Sequence, residues 1–119
     1  MAHRIFHSFP TPEEVDERVR LFFARLSDGE FVSAAVLCPL DGAYGVRGDA
    51  LAEEMQRRVG FPLPSLKAMS VGSVRITRTP SQGECDVVAC LDGEESWTAR
   101  FKLRTNGRWA LYFGTLEPR

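Results

Sequence analysis

Charge of one sign, long apolar runs, histidine and cysteine are all scarce in this 119-residue chain. Lys and Arg number 15 against 16 Asp and Glu, so no global field draws the protein to nucleic acid or to anionic lipid. No apolar run approaches the roughly 20 residues of a membrane span, and the N-terminus "MAHRIFHSFPTPEE" lacks the apolar stretch of a signal peptide. A cytoplasmic protein is expected. The three cysteines, Cys38, Cys85 and Cys90, cannot all pair within one chain and are too few for a disulfide-stapled scaffold. Reduced thiols follow. Cys85 and Cys90 are five apart, which puts them on opposite faces of a regular strand and denies them a shared ion. Cys38 falls at a helix C-terminus, where the helix dipole disfavours a thiolate, so all three read as buried and unreactive. The two histidines, His3 and His7, have the i, i+4 spacing of helical metal ligands, but Pro10 and the lack of a cap favour an unstructured or extended, flexible arm over residues 1–10. No metal and no cofactor are expected.

What the chain does have is 44% hydrophobic and 26% charged residues, the balance of a single globular domain spanning 1–119. Thr11-Pro12-Glu13-Glu14 supplies a capping hydroxyl, a proline suited to the first helical position and a carboxylate three residues after the cap. Val15, Val19, Phe22, Phe23 and Leu26 then form one apolar stripe. The polar interruption Ser27-Asp28-Gly29-Glu30 predicts a helix stop at Gly29 and a new start capped by Asp28 or Ser27. A short second helix carries Phe31, Ala34, Ala35, Leu37 and Cys38 and ends at Pro39. After the glycine-rich "PLDGAYGVRGD", a third helix capped by Asp49 buries Leu51, Ala52, Met55 and Val59 and ends at Gly60 and "FPLP".

The period then changes from helix to strand. "SVGSVRITRTP" alternates, "ECDVVACL" is mostly apolar, and "SWTARFKLR" sets Trp97, Ala99, Phe101 and Leu103 on one face against Thr98, Arg100, Lys102 and Arg104 on the other. Asp92-Gly93 and Asn106-Gly107 are hairpin signals, and "RWALYFGTLE" is the last strand. The expectation is an α+β chain of three helices followed by an antiparallel meander of about four strands.

This order resembles the nuclear transport factor two-like superfamily, which includes ketosteroid isomerases, polyketide cyclases and SnoaL-like domains. "FFARLSDGEFVSAAVLCPLD" looks like that family's first helix, glycine-acid turn and second helix, and "FKLRTNGRWALYFGTLEP" looks like its closing hairpin. The resemblance implies a cone-like curved sheet wrapped around the N-terminal helices, an apolar pocket at the open end, and a homodimer through the sheet face. Isomerase chemistry needs a carboxylate base with a tyrosine and a protonated acid as oxyanion donors. Aligned on the Gly29 turn and on Asn106-Gly107, the two donor positions hold Phe22 and Phe101. The base position falls near Tyr44 and, slightly displaced, Asp41.

Phenyl groups donate no hydrogen bond, so a non-catalytic role is expected: a module binding a small apolar ligand, or an accessory domain. Its pocket residues would be Phe22, Tyr44, Arg47, Met55, Trp97, Phe101, Trp109 and Phe113, with Tyr44 and Arg47 as the polar groups in a lid-like glycine-rich loop. An isomerase, cyclase or hydrolase using Asp41, Tyr44 or Arg47 and a protein-interaction module working through the outer sheet face are the alternatives. Arg100, Lys102 and Arg104, with Arg75 and Arg78 nearby, would form a basic stripe, but Glu84, Asp86, Asp92, Glu94 and Glu95 share that region and no exposed aromatics interleave it. A mixed-charge or dimer-facing surface, and no nucleic-acid partner, is expected.

Overall fold

A computed structural model describes residues 5–6, 8–42, 45–59, 70–78, 84–93, 96–105 and 109–118. The elements run β1 (Ile5–Phe6), α1 (Pro12–Ser27), α2 (Phe31–Leu37), α3 (Gly48–Val59), β2 (Ser70–Arg78), β3 (Glu84–Asp92), β4 (Ser96–Thr105) and β5 (Trp109–Pro118). The expected α+β architecture is present, with a curled antiparallel sheet of five strands in the order β1-β5-β4-β3-β2.

The first helix starts where its sequence dictates. Glu14 N donates to Thr11 Oγ1 at 3.1 Å and Thr11 N donates to Glu14 Oε1 at 3.0 Å, closing the capping box around Pro12. Such a cap is worth about 1 kcal/mol. Val15, Val19, Phe22, Phe23 and Leu26 are all buried, and the Phe22 ring meets Phe101 of β4 and Phe113 of β5. α1 therefore lies in the concavity of the sheet.

Gly29, at φ 76°, turns the chain between α1 and α2. The expected cap of α2 differs: Glu30 occupies the cap position with no side-chain bond. Ser27 is drawn back into α1, its hydroxyl donating to Phe23 O at 2.9 Å, and Asp28 contributes only its amide, to Ala24 O and Arg25 O. Arg25 bonds Glu30 across the turn at 3.2 Å instead. Asp49 likewise sits inside the first turn of α3, whose opening amide bond runs from Leu51 N to Arg47 O.

The fifth strand was not expected. Ile5 pairs with Ala110 and Phe6 with Trp109, Phe9 meets Trp109 edge to face at 4.9 Å, and Pro10 is fully buried. These parts of the expected arm are therefore docked onto β5. Arg18 covers the Phe6 ring at 4.3 Å and donates to Leu37 O, joining β1, α1 and α2. His3 and His7 lie outside the described residues.

Two irregularities bend the sheet. Between β4 and β5 the register passes from Phe101↔Phe113 to Arg100↔Thr115, which leaves Gly114 as an extra residue. A Cβ on Gly114 would stand 3.0 Å from Arg100 O, so glycine fits the bulge closely. Beyond it the inward face of β5 switches from Leu111 and Phe113 to Leu116. A similar shift lies between Val71 and Ser73 of β2.

Candidate functional site

The inner face of the curl brings together part of the expected pocket set. Phe22, Phe101 and Phe113 form a triangle of rings, with centroids 5.7 Å apart for Phe22–Phe101, 5.1 Å for Phe22–Phe113 and 5.4 Å for Phe101–Phe113. Phe23 adds edge contacts to Phe22 and Phe101. Met55 from α3 is fully buried in the same core. Each such aromatic contact adds about 0.5–1.5 kcal/mol beyond area burial. Among the described residues the core contains no buried polar or charged residue, and no buried side-chain nitrogen or oxygen lacks a partner.

The other members of the set are dispersed. Trp97 pairs with Leu91 and Pro118, whereas Trp109 pairs with Thr105 and Phe6. Trp97 and Trp109 thus sit at opposite ends of the β4–β5 ladder. Both are partly buried against the core. Arg47 is exposed at the edge of α3. Tyr44 lies outside the described residues.

Asp41, the displaced base candidate, does not face the phenyl triangle. Pro39 to Asp41 lies alongside β5 as a parallel bridge, with Leu40 opposite Phe113, Phe113 N donating to Pro39 O at 2.8 Å and Asp41 N donating to Phe113 O at 2.9 Å. From there its carboxylate pairs with Arg104 of β4. Arg104 shares its face with Lys102, away from the buried Phe101 and Leu103.

That outer face is where charge collects. The acids Glu84 and Asp86 of β3 stand beside the bases Lys102 and Arg104 of β4, with Glu84↔Arg104 and Asp86↔Lys102 in register. Lys102 pairs with Asp86 and, at 3.3 Å, with Glu84. Arg104 reaches Glu84 at 3.2 Å on one side and Asp41 on the other, its guanidinium 5.9 Å from the Tyr112 ring. Arg100 and Glu117 pair more loosely, at 3.8 Å. Hydrogen bonds from Arg104 and then Lys102 hold the Glu84 carboxyl below the usual range, while the bond to Asp86 raises the Lys102 ammonium. A lysine so raised is no nucleophile near neutrality. Lys102 and Arg104 are thus each paired with acids of β3, and Arg104 also with Asp41.

The cysteines divide between the faces as their spacing requires. Cys85 is buried with Val87, Ala89 and Leu91, and Cys90 is half-buried on the opposite side. Cys90 is thereby less enclosed than expected. Burial pushes the Cys38 thiol far up, with Arg18 opposing only weakly, so it holds its proton. No group of three or more His, Cys, Asp and Glu is arranged to hold a metal among the described residues. No helix there is long and apolar enough to cross a membrane.

Sequence reasoning missed Gly114, the Asp41–Arg104 pair, and Arg58 of α3, which donates to Phe113 O and Gly114 O at 3.4 Å. A glycine inside an apolar strand was the available signal for the bulge. Compared with protein-family models, with curated proteins and with solved structures, the chain finds no match.

Proposed function

We propose that this chain is a non-catalytic accessory module of the nuclear transport factor two-like kind, acting as a homodimer through the outer face of its sheet. The observation that carries the non-catalytic part is the chemistry of the phenyl triangle. The resemblance would assign Phe22 and Phe101 to the oxyanion-donor positions of that superfamily's isomerases, and their rings pack edge to face at 5.7 Å. Proton transfer needs a group of suitable pKa within hydrogen-bond reach of the reacting atom, and the described core supplies none.

The outer face supports association by its charge pattern. Arg100 and Glu117 on that face are more than half exposed and only loosely paired, at 3.8 Å, so they can re-pair across a two-fold axis with the same residues of a second copy. Free thiols suit a reducing, cytoplasmic setting. A second reading, a small apolar ligand, draws support from the wholly apolar character of the described core.

Analytical ultracentrifugation tests the proposal. The protein is expected to sediment as a dimer at micromolar concentration, and Arg100→Glu combined with Lys102→Met is expected to shift it toward monomer. Arg100 is well exposed, so its reversal leaves the core intact. A wild-type monomer, or a variant whose dimerisation is unchanged, would retire the sheet-face dimer. The face would then remain available only to a different protein.

A further inference from the structure

The outer face of the sheet divides into two halves that use charge differently. In one, Glu84 and Asp86 of β3 are tied to Lys102 and Arg104 of β4, and Arg104 also to Asp41, so each of these charges has a partner within its own chain. In the other, the register aligns Val88, Arg100 and Thr115 in one row across β3, β4 and β5, and Cys90, Thr98 and Glu117 in the next. Side chains two apart on a strand share a face. Both rows therefore lie on the same side as Lys102 and Arg104, while Ala89 and Ala99 between them are buried on the inner side.

A second copy would meet the two halves on unequal terms. Covering the paired lattice strips water from charges that already have partners, a desolvation cost with no new pair to offset it. Val88, Cys90, Thr98 and Thr115 carry no charge, and the core of a protein interface is depleted of charge whereas its rim is polar. The charges beside them, Arg100 and Glu117, are 59% and 57% exposed, against 34% and 32% for Lys102 and Arg104. Each can take the opposite residue of a second copy as its partner, so neither is buried alone.

We infer that the homodimer contact is centred on these two rows, with the Glu84–Asp86–Lys102–Arg104 lattice left in solvent beside it. The inference rests on the sheet-face dimer proposed above and names the part of that face which is used. Cys90 lies within the contact and reports on it. Cys38 and Cys85 are buried in the core, whereas Cys90 is half-buried on the outer face, where a second copy would cover its thiol.

Alkylation of the wild-type protein by iodoacetamide over a dilution series, located by peptide mass mapping and run beside sedimentation, tests the assignment. Cys90 is expected to react several-fold more slowly where the dimer prevails than where the monomer does, as mass action requires. If wild type stays dimeric at every dilution, Arg100→Glu supplies the monomer and the reference rate. Arg100→Glu by itself is expected to give the full shift toward monomer of its combination with Lys102→Met. A dimer in which Cys90 reacts at the monomer's rate, or an Arg100→Glu variant that stays dimeric, overturns the assignment, while the combined variant still decides the sheet-face dimer. A wild-type chain that is monomeric throughout overturns both.

Discussion

The two faces of β4 come from one ten-residue strand and carry opposite kinds of organisation. Inward, Ala99, Phe101 and Leu103 are buried, and specificity there is a matter of ring shape and volume. Outward, Lys102 and Arg104 are tied to acids on β3 and to Asp41. Among the described residues the inward face buries no polar or charged group, and the outward face pairs its titratable groups with one another. Stability is thus concentrated inside, where area burial is large, and the charged lattice outside contributes orientation and little free energy.

Breaking the inner face should therefore have the largest effect. Phe113→Ala removes one corner of the ring triangle and is expected to cost about 3–5 kcal/mol. Denaturant unfolding measures it, and a loss under about 1 kcal/mol would mean that the rings are not mutually supporting. A gentler probe is Phe22→Tyr, which adds one hydroxyl at the centre of the ring cluster. In a core with no buried polar partner, that hydroxyl should destabilise by about 2 kcal/mol. Equal stability of Phe22→Tyr and wild type would reveal room for a polar partner or water beside the ring, and would favour the ligand reading over the closed core.

What was legible in the sequence is what short-range physics decides. Thr11 and Glu14 are three apart, so their reciprocal bonds depend on no distant element. The inward stripes of α1 and β4 repeat at the helix and strand periods and can be read in either direction. β1 was missed because its Ile5–Phe6 pairing with β5 joins the two ends of the chain and two residues carry no period. Arg104 could not be matched to Asp41, 63 residues away, before the Pro39–Asp41 segment was known to lie along β5. The candidate pocket split for a related reason. Aromatic type marks a residue as apolar, but only register tells that Phe22, Phe101 and Phe113 meet whereas Trp97 and Trp109 cap opposite ends of the ladder.

The smallest expected effect lies on the outer face, and its pH dependence distinguishes the lattice from chance proximity. Glu84 accepts from Arg104 and Lys102, which holds its folded pKa below the unfolded carboxylate value of about 4.3. A group lowered in the folded state stabilises the fold above its unfolded pKa, and that contribution disappears as pH falls through the folded one. Wild type should consequently be slightly more stable than Glu84→Gln at pH 7, and the difference should close below about pH 4 as Glu84 takes up a proton. Urea midpoints for both proteins at neutral and acid pH measure it. A difference that persists unchanged into acid would assign the effect of the substitution to packing at β3 rather than to charge, and the contrast between the two faces would lose its electrostatic half.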